Sequence, residues 1–293
     1  MILKIDNLTK VYGKRVILDQ LSLEVEEPQI IALVAPNGTG KTTLLNIMCD
    51  LEGYQAGKIE ILDRPNTDRH IFAEMTYMQD NSILYDELTG MDHLKFIASM
   101  YHKTQQDIAV TAHLVGVEDY LNKSVGKYSL GMKQHLLFAM GILPEPKVFL
   151  LDEPLNGLDP DSVINVRNIL KEMAKSGTTI LFSSHNLGEV VKLTDNILFL
   201  HEGKLKSEKD IFENKEKWTL VVEAVNPLEA YLQDHNLDYQ ILSPHKIEIT
   251  TTQDLLAQIK NFLEEQNLAL WDTQKTDWDL EQIYLDLFEK TSS

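Results

Sequence analysis

Residues Ile30 to Asn46 read I-I-A-L-V-A-P-N-G-T-G-K-T-T-L-L-N. The apolar, β-branched run Ile30 to Val34 reads as a buried strand, Ala35 to Gly40 as a glycine-bearing turn, and Lys41-Thr42-Thr43 as the opening of an apolar helix. That strand–loop–helix order is the context a phosphate-binding loop requires. Backbone N–H groups of the loop and of the helix N-terminus converge on one spot that carries about half an elementary positive charge, so an anion is favoured there. Lys41 is placed to reach the β- and γ-phosphates of a nucleotide, and the Thr42 hydroxyl to hold Mg²⁺. The general pattern, G-x-x-x-x-G-K-[ST], begins with glycine, whereas this chain has Ala35. Alanine resists φ > 0, so either that position needs no left-handed backbone or the loop is slightly strained.

Working outward, a second apolar run, Val148 to Leu151, ends in Asp152-Glu153. Two carboxylates closing a buried strand are costly unless a cation meets them, and the phosphate loop supplies the partner. Asp152 can accept from Mg²⁺-bound water, and Glu153 can orient and deprotonate an attacking water. His185 follows another apolar strand, Thr178 to Ser183, where its imidazole can contact the γ-phosphate. Gln79 follows the strand Met75 to Met78 and can give one oxygen to Mg²⁺. Tyr12, before Gly13 in a turn, can stack on adenine.

The stretch Lys127-Tyr128-Ser129-Leu130-Gly131-Met132-Lys133-Gln134 places Ser129 as an N-cap and Gly131 in the first turn of a helix, a second N-terminus suited to phosphate. One nucleotide in one chain has no use for two such sites. A head-to-tail C2 dimer does, with each nucleotide between one chain's phosphate loop and the other's Ser129 helix.

Strands alternate with helices from Ile30 to Leu200, which predicts an α/β fold with a mostly parallel, helix-covered sheet. Met1 to Ile5 and Ser22 to Glu26 alternate apolar and polar residues and predict an antiparallel β subdomain beside it. Leu88 to Tyr101, Gln105 to Val115 and Ser129 to Leu143 predict a helical subdomain, stopped by Pro144 and Pro146. Beyond Lys217 the order strand, helix, two strands, helix, strand and a closing helix (Leu280 to Phe288) predicts a small α+β, split βαβ appendage. The expected division is 1–214 and 215–293.

The chain has 293 residues, 43% hydrophobic and 25% charged, and 27 basic against 45 acidic residues give a net charge of −18. That surface repels nucleic-acid phosphate and offers no polybasic anchor to anionic lipid, so nucleic acid is not an expected partner. Cys49 as the single cysteine excludes an intramolecular disulfide and fits a reducing cytosol, as a small core residue or a redox sensor. No apolar run approaches the length of a membrane span, and Met1 to Lys10 alternates like a strand rather than a signal peptide.

In this order, Tyr12, Ala35–Thr42, Gln79, Ser129-Leu130-Gly131, Val148–Glu153, Asn156-Gly157-Leu158-Asp159 and His185 resemble the nucleotide-binding subunit of an ABC transporter over Ile2 to Lys209. The resemblance implies the P-loop NTPase fold of that family, ATP and Mg²⁺ as ligands, and a separate transmembrane permease subunit. It also implies a second copy as partner and a place on the cytoplasmic face of the membrane. By similarity Tyr12 matches the adenine-stacking aromatic, and Ala35, Pro36, Asn37, Gly38, Thr39, Gly40, Lys41, Thr42 and Thr43 span the Walker A cradle. Gln79 matches the Q-loop glutamine, Asp152 and Glu153 the Walker B aspartate and catalytic glutamate, Asp159 the D-loop aspartate, and His185 the switch histidine. The signature L-S-G-G-Q is altered at Tyr128, Leu130 and Met132, but Ser129 and Gly131 remain. The Y-S-L-G-M-K-Q form and the ending Asp277 to Phe288 resemble the exporter branch of bacitracin resistance and lantibiotic self-protection. His135 stands where that branch carries arginine. The rival readings are a soluble ABC-type ATPase and an ATP-gated regulatory subunit not coupled to transport.

Overall fold

A computed structural model describes residues 1–211, 215–276 and 280–288. Its contacts divide the chain into Met1–Leu205 and Lys206–Ser293. The boundary read from the sequence, at residue 214, falls in 212–214, outside the described residues.

Two sheets build the first unit. A long hairpin of Leu3–Tyr12 and Arg15–Val25 turns at Gly13, whose φ is 59°, and Ala56–Ile61 and Arg64–Pro65 complete an antiparallel sheet. Only the outer ends of this hairpin were legible as alternation. The register shifts after Ile5 and Leu8, and Asn7 and Gln20 sit at positive φ. Each such irregularity resets which face a side chain points to and so breaks the period of two.

The second sheet runs, in spatial order, Lys204–Ser207, Ile197–His201, Ile30–Val34, Thr179–Ser184, Val148–Leu151 and Met75–Met78. Ile30–Val34 pairs in parallel with both neighbours, and the parallel pairing continues through Val148–Leu151 to Met75–Met78. All of Ile30–Val34, Val148–Leu151 and Thr179–Ser184 is buried, which is why these strands read as continuous apolar runs rather than alternating ones. Because these strands are parallel, their carboxyl ends lie along one rim of the sheet, the usual location of a ligand site in such folds. Ala35, Gln79, Asp152 and His185 each follow directly on one of those ends.

Gly90–Met100, Gln105–Val115 and Leu130–Ile142 form the helical part. Thr89 with Asp92, and Thr104 with Asp107, make reciprocal capping boxes, and Gly116 at φ 80° closes the second helix. Two helices among the described residues went unread in the sequence: Leu187–Leu193, capped by the Asn186 side chain, and the short Glu208–Ile211.

In the second unit Glu216–Val222, Val225–Asp234, Asp238–Ser243, Lys246–Thr251, Gln253–Glu265 and Leu270–Thr276 follow in the order strand, helix, strand, strand, helix, strand. Leu280–Phe288 is the closing helix; the first three residues of the Asp277 to Phe288 motif lie outside the described residues. The sheet order, Asp238–Ser243, Lys246–Thr251, Glu216–Val222, Leu270–Thr276, is antiparallel throughout. It is the order of a split βαβ fold, in which each helix crosses over one intervening strand. Leu220, Val222, Ile247 and Ile249 of the sheet pack with Val225, Leu228, Leu232, Leu256, Ile259 and Leu263 of the helices. Pro227 lies within the first turn of its helix, where its missing N–H has no intrahelical acceptor to lose.

Candidate active site

The loop after Ile30–Val34 is built around two glycines. Gly38 and Gly40 have φ of 77° and 118°, and a Cβ on Gly40 would lie 2.7 Å from Ile17 Cγ2. Ala35 is not among the residues at positive φ and is fully buried. The alternative of a strained first position is therefore removed: that position takes ordinary backbone, so alanine fits it without cost. Helix Lys41–Met48 starts at Gly40 with no side-chain cap and no acidic residue in its first turn. Its first N–H groups thus stay available to an anion.

Lys41 is almost completely buried. Its Nζ donates to Ala35 O at 2.7 Å and Pro36 O at 3.2 Å, and lies 3.7 Å from Glu153 Oε1. Burial lowers its pKa, against the pull of the Glu153 and Asp152 carboxylates. Thr39 Oγ1 closes the loop by donating to Pro36 O. Thr42 Oγ1 donates to Asp152 Oδ2 at 2.6 Å, joining the helix start to the neighbouring strand end.

Asp152 and Glu153 are held by a residue the sequence reading passed over. Ser183 Oγ donates to Asp152 Oδ1 and accepts from the Glu153 backbone N–H. Gln134, buried on the Ser129 helix, donates to Glu153 O at 3.1 Å. Glu153 itself sits at φ 50°, an uncommon conformation for a residue with a Cβ. Its Oε2 is 2.9 Å from His185 Nδ1, while its buried Oε1 has no hydrogen-bond partner. The signal that could have found Ser183 is its place two residues before His185, on the strand next to Val148–Leu151.

A cavity of about 460 Å³ is lined by Tyr12, Asn37, Gly38, Gly40, Lys41, Thr42, Thr43, Asp152 and Glu153 from the expected set, and by Arg15, Ile17, Asp80 and Asn156 beside them. Its size suits a small-molecule ligand. Pro36 and Thr39 act through the loop's own hydrogen bonds. His185 meets Glu153 from outside this cavity. Gln79 lines a separate, mostly apolar cavity with Cys49 and Tyr77, and its neighbour Asp80 faces the phosphate loop instead. Successive side chains of extended backbone point to opposite sides, so one residue in register decides which is presented.

Ser129 caps its helix by accepting from Met132 N, and both it and Gly131 lie outside this cavity. Gly131 packs against the Gly157 carbonyl, 3.2 Å from where a Cβ would stand. Asp159 is the N-cap of Pro160–Lys175, accepting from the Ser162 N–H and hydroxyl, and those bonds hold its pKa low. A buried Lys on a glycine loop, a hydroxyl–carboxylate pair and a carboxylate aimed past the lysine together define a nucleoside triphosphatase of the phosphate-loop class. The Thr42 hydroxyl and Asp152 carboxylate are hard oxygen donors, the kind Mg²⁺ takes alongside phosphate, so the residues present fit that ion.

The comparisons narrow the class. The family model described as ABC transporter matches residues 18–156. The lantibiotic transport ATP-binding protein SrtF of Streptococcus pyogenes is 36% identical over 208 residues, covering 71% of this chain and 90% of its own length. The bacitracin transport ATP-binding protein BcrA of Enterococcus faecalis is 32% identical over 216 residues, 72% of this chain and 70% of that one. A solved ATP-binding subunit of an ABC transporter superposes with a TM-score of 0.67 at 26% identity, over 73% of this chain and 92% of that one. The chain belongs to the ATP-binding proteins of ABC transporters, and it is an ATPase that drives transport. Among the described residues no helix is long and apolar enough to cross a membrane.

Proposed function

We propose that this chain powers an exporter of a peptide antibiotic, drug or lipid, by closing as a homodimer on two Mg·ATP against a separate permease on the cytoplasmic face of the membrane. The export direction and cargo class rest on the likeness to lantibiotic and bacitracin transport proteins. The observation that carries the catalytic reading is Glu153: one carboxylate oxygen is held by His185, and the other is buried, without a hydrogen bond and 3.7 Å from the Lys41 ammonium.

In this reading the loop Ala35–Thr43 and Lys41 hold the phosphates, and Tyr12 stacks on the base. Thr42 and Asp152 would hold Mg²⁺, and Gln79 would reach it only after its segment turns. Bound there, Mg²⁺ would neutralise charge on the β- and γ-phosphates. Glu153 takes the proton of the attacking water, and His185 fixes the carboxylate that does so. Ser129 and Gly131 of the second copy complete the γ-phosphate site, and Asp159 crosses between copies. ATP drives closure because it is bound from both sides only in the closed dimer.

The test is Glu153→Gln. Loss of the general base lowers turnover about 10²- to 10⁴-fold while ATP binding persists. With Mg·ATP that variant runs as a dimer in light scattering, and adding Ser129→Arg returns it to a monomer. Hydrolysis by Glu153→Gln at the wild-type rate would remove Glu153 from the role. A dimer indifferent to Ser129→Arg would remove the shared site.

A further inference from the structure

We propose that Glu52 and Lys10 are positioning residues for the nucleotide base, fixing Tyr12 as a stacking platform with one open face. The inference rests on the reading that the base stacks on Tyr12. It concerns residues on the strand Leu3–Tyr12 and in the loop after the phosphate-loop helix, none of which the sequence motifs include.

Tyr12 stands at the end of its strand, about half exposed, on the wall of the phosphate-loop cavity. Left alone, such a side chain samples several rotamers. Here its hydroxyl donates to Glu52 Oε1. The same oxygen accepts from Lys10 Nζ at 2.7 Å. Lys10 is buried, an unusual state for a lysine, and each of its three protons has a place to go. One meets Glu52, one meets Gly53 O at 2.6 Å, and the ammonium lies 4.6 Å from the Tyr12 ring centroid. That is cation–π distance. One face of the ring is therefore taken by a cation, and the other is left for a flat, electron-rich partner. Burial opposes ionisation of Glu52, but the bonds from Lys10 and Tyr12 outweigh it and hold its carboxyl below the usual range.

The backbone behind the ring is fixed by the same loop. Gln55 grips Val11 from both sides, its Oε1 accepting from Val11 N and its Nε2 donating to Val11 O, and Gln55 N donates to Thr9 O. This loop leaves the C-terminal end of helix Lys41–Met48, whose N-terminal end is the phosphate site. One short helix thus sets the phosphate position at its start and, through Glu52 and Gln55, the base platform beyond its end.

Holding one of three staggered χ1 wells in advance is worth up to about threefold in affinity, and losing the polarising cation adds to that. The test measures dissociation constants for ATP and for inorganic tripolyphosphate, which lacks a base, together with KM and kcat. Tyr12→Leu, which removes the platform, weakens ATP about five- to tenfold. Glu52→Gln and Tyr12→Phe each weaken it about threefold, and Lys10→Met somewhat more. None changes tripolyphosphate binding, and in Glu52→Gln and Lys10→Met the loss falls on KM rather than on kcat. Tyr12→Leu combined with Glu52→Gln is no weaker than Tyr12→Leu alone, because Glu52 acts only through the ring.

Unchanged ATP affinity in Tyr12→Leu overturns the stacking reading itself. Weakening by Tyr12→Leu with none by Tyr12→Phe, Glu52→Gln or Lys10→Met upholds stacking and overturns the positioning role. Additive losses in the double variant, or a parallel loss for tripolyphosphate, also overturn it. Tyr12→Phe deletes the Glu52 bond from an exposed side chain, so the test survives if a buried substitution unfolds the chain.

Discussion

Replacing Ser183 with alanine removes a single hydroxyl that holds two carboxylate residues at once. Ser183 is fully buried; its Oγ donates to Asp152 Oδ1 and accepts from Glu153 N at 2.9 Å. The first bond is to a charged group, and the second satisfies a backbone N–H beside the φ 50° of Glu153. Together their loss costs about 2–4 kcal/mol, counting a charge-assisted bond and a backbone donor left unpaired. The catalytic consequence follows from the backbone. Holding a residue with a Cβ in the left-handed region stores about 1–3 kcal/mol. With Ser183 gone, the Gln134 and Asn156 bonds to Glu153 O and the His185 contact with its carboxylate are what still resist relaxation. Relaxation carries the carboxylate away from His185 and Lys41. If about 1.4–2.8 kcal/mol of positioning is lost, kcat falls about 10- to 100-fold. The loop around Lys41 makes none of its bonds to Ser183, so KM for ATP shifts less than about threefold. The assay is steady-state ATPase kinetics on a variant whose fold is checked by circular dichroism. A folded Ser183→Ala protein with wild-type kcat would refute the claim that this hydroxyl sets the Glu153 geometry, and a large KM change with kcat intact would place its effect at the phosphate loop instead.

Gly40→Ala forces a Cβ onto backbone at φ 118° and against Ile17; it destabilises by about 1–3 kcal/mol and lowers ATP affinity at least about tenfold by moving the helix N-terminus, read by equilibrium dialysis. Cys49 is buried and its pKa is pushed up to about 12 by burial alone. At pH 8 only about 10⁻⁴ of it is thiolate, so a thiol reagent labels it in denaturant and not in the native protein; rapid native labelling would restore the redox-sensor reading. His135 is largely buried with an unpartnered Nε2, and burial lowers its pKa although Asp159 pulls the other way. The unfolded chain therefore binds its proton at a higher pH than the folded one, and stability falls as pH drops below the ordinary histidine value. His135→Gln removes that component, so its melting temperature drops less than the wild type's between pH 7.5 and 5.5.

What was legible in the sequence follows how local each determinant is. The phosphate loop could be read because its needs are met within a dozen residues: a buried strand, glycines at the positive φ positions, and a lysine opening a helix. The carboxylates were legible because an apolar strand that ends in two acids poses a local electrostatic problem with few solutions. Ser183, Glu52 and Lys10 were not, because each is ordinary by type and matters only through a partner 30 to 42 positions away. Ser183 belongs to an apolar run and reads as one more buried small residue; the parallel pairing of Val148–Leu151 with Thr179–Ser184 brings it beside Asp152. Glu52 reads as a solvated charge after a helix, until the antiparallel pairing of Leu3–Tyr12 with Ala56–Ile61 brings that loop to Tyr12. Gln79 shows the complementary limit. Its position after a strand end was read correctly, yet the strand's pleat turns Asp80 rather than Gln79 to the phosphate loop. Sequence spacing fixes which rim of the sheet a residue reaches, and the register of one residue fixes which cavity it faces. The groups that tune the site, unlike those that define it, are set by strand pairing between distant segments.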